Sequence, residues 1–421
     1  MEPSVPSSPR LVVMRPWMLL VLLTLPVAMT VILVRLMPGR RTAPEATPAA
    51  TAAREPARAA PSGERIGPWG NLTVTPVTIQ PPVRLIPPAL YSPKALYWEV
   101  GTADEPAFRR LLTDAGVDAK FHDVLINELR TQPDNGRPGV LLEPSFVRGL
   151  PADVRGRLYR ALLRLDSRNR EQFGLMRWST ERWAQLRADL PAAVGDLVAE
   201  FTFPATTGTD VHFWDLPTAL HFLPDESDRI ALTRAVNSQR TFLLSLNVGP
   251  DSPVPQIAEY WRLSRTRRQI MPMLESLAAG PGTNHIDALH LMPPFVREHA
   301  YTYPVSTLGS GTGMSTDCFW TCANFDRRSD ELTIPLREAA AYLTSHYVTY
   351  VGRPEFGDII VLQDTEGNAI HAAVHIADNI VFTKNGGHPL MPWVFMERDE
   401  MIRIYELADP AKTIWVRRAT D

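Results

Sequence analysis

Residues Trp17 to Val34, WMLLVLLTLPVAMTVILV, run for eighteen positions without a charge. A helix of that length just crosses the ~30 Å of a bilayer's hydrocarbon, so the run predicts a single-pass membrane anchor over residues 17–34. Pro26 interrupts its middle, which lipid tolerates where neighbouring groups take up the freed carbonyl. Arg10 and Arg15 precede the run and Arg35, Arg40 and Arg41 follow it, so positive charge gives no clean orientation. A cleaved signal peptide would end on small residues; here Arg35, Leu36 and Met37 stand at that place, which favours a retained anchor.

From Pro38 to about Pro82 the composition changes to Ala, Pro, Thr and Arg, as in APEATPAATAAREPARAAP, a mixture that cannot bury a core and predicts an extended tether. The expected division is therefore a tail and anchor at 1–36, an Ala/Pro-rich linker at 37–84, and folded domains beyond. Across all 421 residues, 43 Lys and Arg face 46 Asp and Glu, a net charge of −3 that provides no basic footprint for nucleic acid. Apolar residues make up 45%, enough for a folded protein. Cys318 and Cys322 are the two cysteines, which excludes a disulfide framework and cannot alone complete a four-ligand zinc site.

Residues 85–300 read as an α-helical domain. In PADVRGRLYRALLRLD, Val154, Leu158, Ala161, Leu162 and Leu165 recur at the helical period behind Pro151. In DESDRIALTRAVNSQRTFLLSL, Asp225 or Ser227 suits the cap while Ile230, Val236 and Leu243 are expected to face inward. Residues 301–421 read differently. FGDIIVLQD, NAIHAAVHIAD, NIVFTK and TIWVRR are β-rich runs parted by Glu366-Gly367, Asp378-Asn379 and Asn385-Gly386-Gly387, so an α+β domain with a helix first and an antiparallel sheet after it is expected.

Cys318 follows the loop STLGSGTGMST and Asp317, then opens FWTCANF, a plausible first helical turn with Asp317 at the cap. The positive end of a helix beside an imidazole stabilises a thiolate, the form that attacks carbonyls. Cys322, one turn deeper, reads as a packing residue. His371 and His375 lie four apart on a β-rich run, so both point to one face, where one is a candidate base.

These pieces resemble the NlpC-type cell-wall endopeptidases of the papain-like cysteine peptidase superfamily. Asp317-Cys318-Phe319-Trp320, then Gly357-Asp358-Ile359-Ile360, then His371 through Asn379 appear in the family's order, over residues 301–421 only. The resemblance implies Cys318 as nucleophile, His371 as base, and His375 at a position the family gives to tyrosine. It implies an acyl-enzyme reaction needing no metal or other cofactor, with backbone N–H groups near Cys318 as oxyanion donors and Tyr303 and Asp317 aiding substrate or oxyanion binding. The third polar residue, counted without gaps, falls at Thr383; Asn385 and His388 just beyond are the competing candidates to orient the imidazole. Phe319 replaces the family's serine, and Pro304 the glycine after its tyrosine.

The expectation is thus a membrane-anchored cysteine hydrolase, held by residues 17–34, with its C-terminal domains periplasmic or otherwise extracytoplasmic and an amide of the peptidoglycan stem peptides of a bacterial cell wall as substrate. Two rivals stand beside it: a thiol acyltransferase or lipid amidase of the same superfamily, and a catalytically inactive envelope-binding module. Nothing in the sequence sets the oligomeric state. Arg262, Arg265, Arg267 and Arg268 read as a solvated helix face. His285, Asp287 and His290 lack metal-ligand spacing and, like His212 and Asp215, read as structural. No Gly-rich phosphate loop is present, which argues against a nucleotide-dependent enzyme.

Overall fold

The computed structural model describes residues 63–93, 96–102, 104–131, 137–165, 176–205, 208–262, 270–304, 316–327, 331–405 and 412–419. The expected anchor at 17–34 lies outside them; among the described residues no helix is long and apolar enough to cross a membrane. What they form is a mixed α+β structure of helices and antiparallel sheets.

Strands β1 (Gly63–Gly67), β2 (Gly70–Ile79), β3 (Gln239–Val248) and β4 (Asn284–Asp287) pair in that order, every neighbour antiparallel. The expected linker is therefore corrected: its last part is a hairpin. Prolines hid an alternation in which Leu72 and Val74 turn inward between polar neighbours. Gly70 makes the turn with φ +97°, and a Cβ there would stand 2.8 Å from Leu246 Cδ1.

The helical expectation for 85–300 also needs correction, since strands run through it. Helix α1 (Ala152–Leu165) forms as its periodicity predicts, with Leu158 and Leu162 buried. Helix α2 (Glu226–Val236), however, stops where the sequence suggested it would continue, and β3 follows after Asn237 and Ser238. Phe242, Leu244, Leu246 and Val248 alternate into the core, and Leu243, expected inside, is 45% exposed. Period two takes over from period 3.6 because β2 offers a ladder to pair with. Two further sheets have three strands each. Leu96–Glu99, Pro138–Leu142 and Leu129–Thr131 form one; Met176–Trp178, Val211–Phe213 and Thr202–Pro204 form the other.

Beyond residue 301 the helix-then-sheet order holds. Helices α3 (Cys318–Asn324) and α4 (Leu336–His346) precede β5 (Tyr347–Thr349), β6 (Ile359–Gln363), β7 (Ala369–Ala377), β8 (Ile380–Lys384), β9 (Trp393–Glu397), α5 (Arg398–Ile404) and β10 (Lys412–Arg418). The sheet order is β5-β10-β6-β7-β8-β9, antiparallel throughout. Its two faces bury different sets. Ala372, Val374, Ile376 and Phe382 pack with Cys322 and Phe325 under α3. On the other face Ala373, Val381 and Met396 pack with Met401 of α5. Burying a large apolar side chain contributes ~1.5–3 kcal/mol, so both faces are strongly committed to their register.

Polar contacts fix the edges. Arg417 of β10 grips the buried Asp358 with two bonds of 2.8 and 2.7 Å, and Tyr350 and the Glu355 amide also donate to that carboxylate at 2.6 Å. At the opposite edge the Thr241 hydroxyl of β3 donates to the Phe395 carbonyl and accepts from its amide, both at 3.0 Å, which seats the first sheet against β9.

Candidate functional site

Asp317 is the N-cap of α3, as expected: its backbone is extended and its carboxylate accepts from the Trp320 amide at 2.8 Å. Cys318, the first helical residue, is 4% exposed. Burial and then the Asp317 carboxylate push its thiol well above the ordinary range, while the Ala372 and Phe319 amides and the Lys384 ammonium only partly favour the anion. Cys322 is wholly buried, its thiol held up by desolvation, and packs in the core as expected.

His371 has no exposed surface, and burial lowers its imidazole to about 3. Its ring stacks on Tyr405 at 4.1 Å, and Nε2 lies 3.1 Å from Thr383 Oγ1. That hydroxyl spends its proton on the Ala372 carbonyl, also at 3.1 Å, so it accepts from His371. The neutral ring therefore carries its hydrogen on Nε2, and Nδ1 is left without a partner.

The expected pairing of thiol and imidazole is not made. Side chains alternate across a strand, and on β7 it is Ala372, Val374 and Ile376 that face α3. His371 shares the opposite face with Ala373 and His375, under α5 and Tyr405. Cys318 accordingly feels Asp317 and Lys384, and His371 feels burial alone. His375 is on the same face as His371, as its spacing implied; it meets Trp415 edge-on at 5.7 Å and burial lowers it to about 4.

The competing third residues do not orient the base either. Asn385 Nδ2 donates to Met396 Sδ at 3.5 Å, and His388 Nδ1 accepts from the Leu390 amide at 3.3 Å. The residue that bonds the imidazole is Thr383, the ungapped position. Tyr303 is buried and its hydroxyl has no partner, so it bonds neither Asp317 nor Cys318.

Sequence reasoning missed Lys384. It is fully buried on the α3 side, gives hydrogen bonds to the Gly386 and His388 carbonyls at 2.8 and 3.0 Å, and interacts with Asp317 and Cys318. Burial lowers its ammonium to about 8, opposed first by the Asp317 carboxylate and then by Cys318. The signal was available in period two: Lys384 follows Ile380 and Phe382 on one face of β8. Around it, Trp393 donates to Thr321 Oγ1 at 2.9 Å and lies against His299 and Trp320.

The signals set aside as structural behave so. Asp215 holds the buried Arg155 at 3.1 Å and accepts from Tyr159. His285 Nδ1 lies 2.7 Å from Asn247 Oδ1, and Asp287 caps Leu289. Among the described residues no three His, Cys, Asp or Glu converge to hold a metal ion. Of the basic run, Arg262 pairs with Glu259 at 3.0 Å, and Arg265, Arg267 and Arg268 lie outside the described residues. In comparisons with family models, curated proteins and solved structures, nothing matches this chain.

Proposed function

We propose that the protein is a binding module of the cell envelope, tethered to a membrane by residues 17–34, in which a papain-like domain serves as scaffold rather than as a working thiol hydrolase. The observation that carries this reading is that the His371 ring makes no hydrogen bond to Cys318: its Nε2 meets Thr383 and its Nδ1 has no partner. An acyl-enzyme mechanism requires a base within about 3 Å of the nucleophile's proton; here neither ring nitrogen of His371 bonds the thiol. The Asp317 carboxylate beside Cys318 further disfavours a resting thiolate. The ligand offered by the resemblance is a peptidoglycan stem peptide, bound and left uncleaved.

One observation favours a second reading, the thiol hydrolase itself. Cys318 opens a helix, two amides favour its anion, and a buried amine, Lys384, occupies the quarter in which an imidazole is wanting. Full-length protein in detergent micelles at pH 8 under reducing conditions, one portion treated with iodoacetamide and a separate untreated portion incubated with purified muropeptides, separates the two. The binding reading expects saturable muropeptide binding, unchanged muropeptides, and alkylation of Cys318 only after denaturation. Rapid native alkylation together with cleavage that is lost in Cys318→Ala overturns it.

A further inference from the structure

Pro68 and Trp69 turn β1 into β2, and Ile66 and Gly67 precede them, so the tip of this hairpin reads Ile-Gly-Pro-Trp. Turns that face water favour Gly, Asn, Asp and Ser beside Pro. Here Ile66 stands 78% exposed on one side of β1. On the other side the Trp69 ring lies back across Gly67, where a Cβ would strike it, and stays half-buried with Tyr260 edge-on at 5.8 Å. Pro68, between the two, is exposed. The tip is apolar on both sides.

Its polar groups are already occupied. Trp69 Nε1 donates to the Arg65 carbonyl at 3.1 Å, and Trp261 Nε1 donates to the Trp69 carbonyl at 2.9 Å. The Tyr260 hydroxyl donates to the Ile376 carbonyl at 2.9 Å, and Arg65 pairs with Asp378 at 3.0 Å and with Glu397. These bonds fix the hairpin against the C-terminal sheet, and they leave the tip little to desolvate in a less polar medium. The chain itself supplies such a medium. Gly63, the first residue of β1, is joined through residues 35–62 to the uncharged run 17–34. A coil of that length has an end-to-end distance of ~30 Å, and the tip lies one short strand, ~13 Å, beyond Gly63.

We propose that the tip Ile66–Trp69 inserts into the interface of the bilayer that residues 17–34 enter, seating the folded part directly on lipid. Tryptophan concentrates at headgroup depth, where an apolar body and a polar edge are both accommodated. An exposed isoleucine gains by leaving water. Tethering makes the encounter intramolecular, so a small apolar tip suffices where it would not hold a free protein. The insertion rests on the anchor reading of residues 17–34 and is indifferent to what the domain binds.

The test uses the full chain reconstituted in phosphatidylcholine vesicles, with a nitrobenzoxadiazole label on Pro68→Cys or on Thr75→Cys, an exposed position of β2 away from the tip. Wild type treated alike sets the background from Cys318 and Cys322, both buried. The label at 68 should emit further to the blue than the label at 75, and lipid spin-labelled near the headgroup should quench it while sparing the other. Adding Ile66→Asp to the Pro68→Cys chain should lower the ratio of inserted to free tip about tenfold or more, the factor that burying such a side chain supplies. Its thermal midpoint in detergent should not move, because Ile66 is exposed. Equal quenching at 68 and 75, or quenching at neither, overturns the insertion. So does a blue shift at 68 without quenching, which reports a protein partner or a second copy on the tip. An alkaline carbonate wash reads the anchor separately. Chain that stays with the vesicles while 68 is unquenched keeps the anchor and loses the insertion; chain that is washed off although 68 had been quenched supports the insertion and removes the anchor.

Discussion

Replacing His371 by glutamine probes how firmly the sheet keeps that imidazole neutral. The ring takes up a proton at 6.5 when free and only at about 3 in the fold, with burial as the cause. Between those values the unfolded chain binds a proton that the folded chain refuses. Stability is therefore complete above 6.5 and falls as the pH drops toward 3, at ~1.4 kcal/mol per pH unit. From pH 6.5 to 5 the wild type should lose about 2 kcal/mol through this residue, and about 4 kcal/mol by pH 3. His375, lowered to about 4, adds a loss of the same sign. In His371→Gln the side-chain amide can still donate to Thr383 and has nothing to protonate. Urea unfolding followed by tryptophan fluorescence at pH 6.5 and 5, in wild type and variant, isolates the difference because other titrating groups cancel. The variant should gain about 2 kcal/mol on the wild type over that interval. A difference that stays constant within about 0.5 kcal/mol would refute the claim that His371 is held neutral by burial.

Arg417→Ala leaves Asp358 buried without its bidentate partner, and should cost about 3–5 kcal/mol in urea unfolding, with Arg417→Lys recovering only part. Phe382→Ala opens a void between α3 and the sheet, where Phe325 and Phe395 now touch its ring; a loss of about 3–5 kcal/mol is expected, read as a lower urea midpoint at unchanged slope. Gly70→Ala must adopt φ +97° and push against Leu246, so a loss of about 1–3 kcal/mol should appear as a lower thermal midpoint.

The strands after residue 355 could be read from the chain because each alternates over a short span and ends on turn residues; Asp378 adopts the positive φ, 50°, that an Asp-Asn turn calls for. Helix α1 was equally legible, since one side of it alone is apolar. The β1–β2 hairpin was not, because Pro76 and the glycines around Trp69 resemble the linker before them. Strand β3 was absorbed into the helical reading, its leucines fitting either period until β2 supplied a partner. At the site, the order of Asp317, Cys318 and His371 was visible and their facing was not. Parity along β7 puts His371 and Ala372 on different faces, but which of them meets α3 is decided by packing distant in sequence. Lys384 escaped for a related reason: a single basic residue in an apolar run announces nothing until the fold buries it beside α3.

The smallness of Ala372 has a geometric outcome. With only a methyl group there, α3 settles close enough for the Ala372 amide to reach the Cys318 sulfur. An imidazole at the same place would hold the helix further out, opening the crevice that a scissile bond needs. Sliding β7 by a single residue would present His371 there and turn Val374 and Ile376 away from α3. Close docking of the helix and a bulky side chain at position 372 are alternatives at this junction, and Ala372 admits the first.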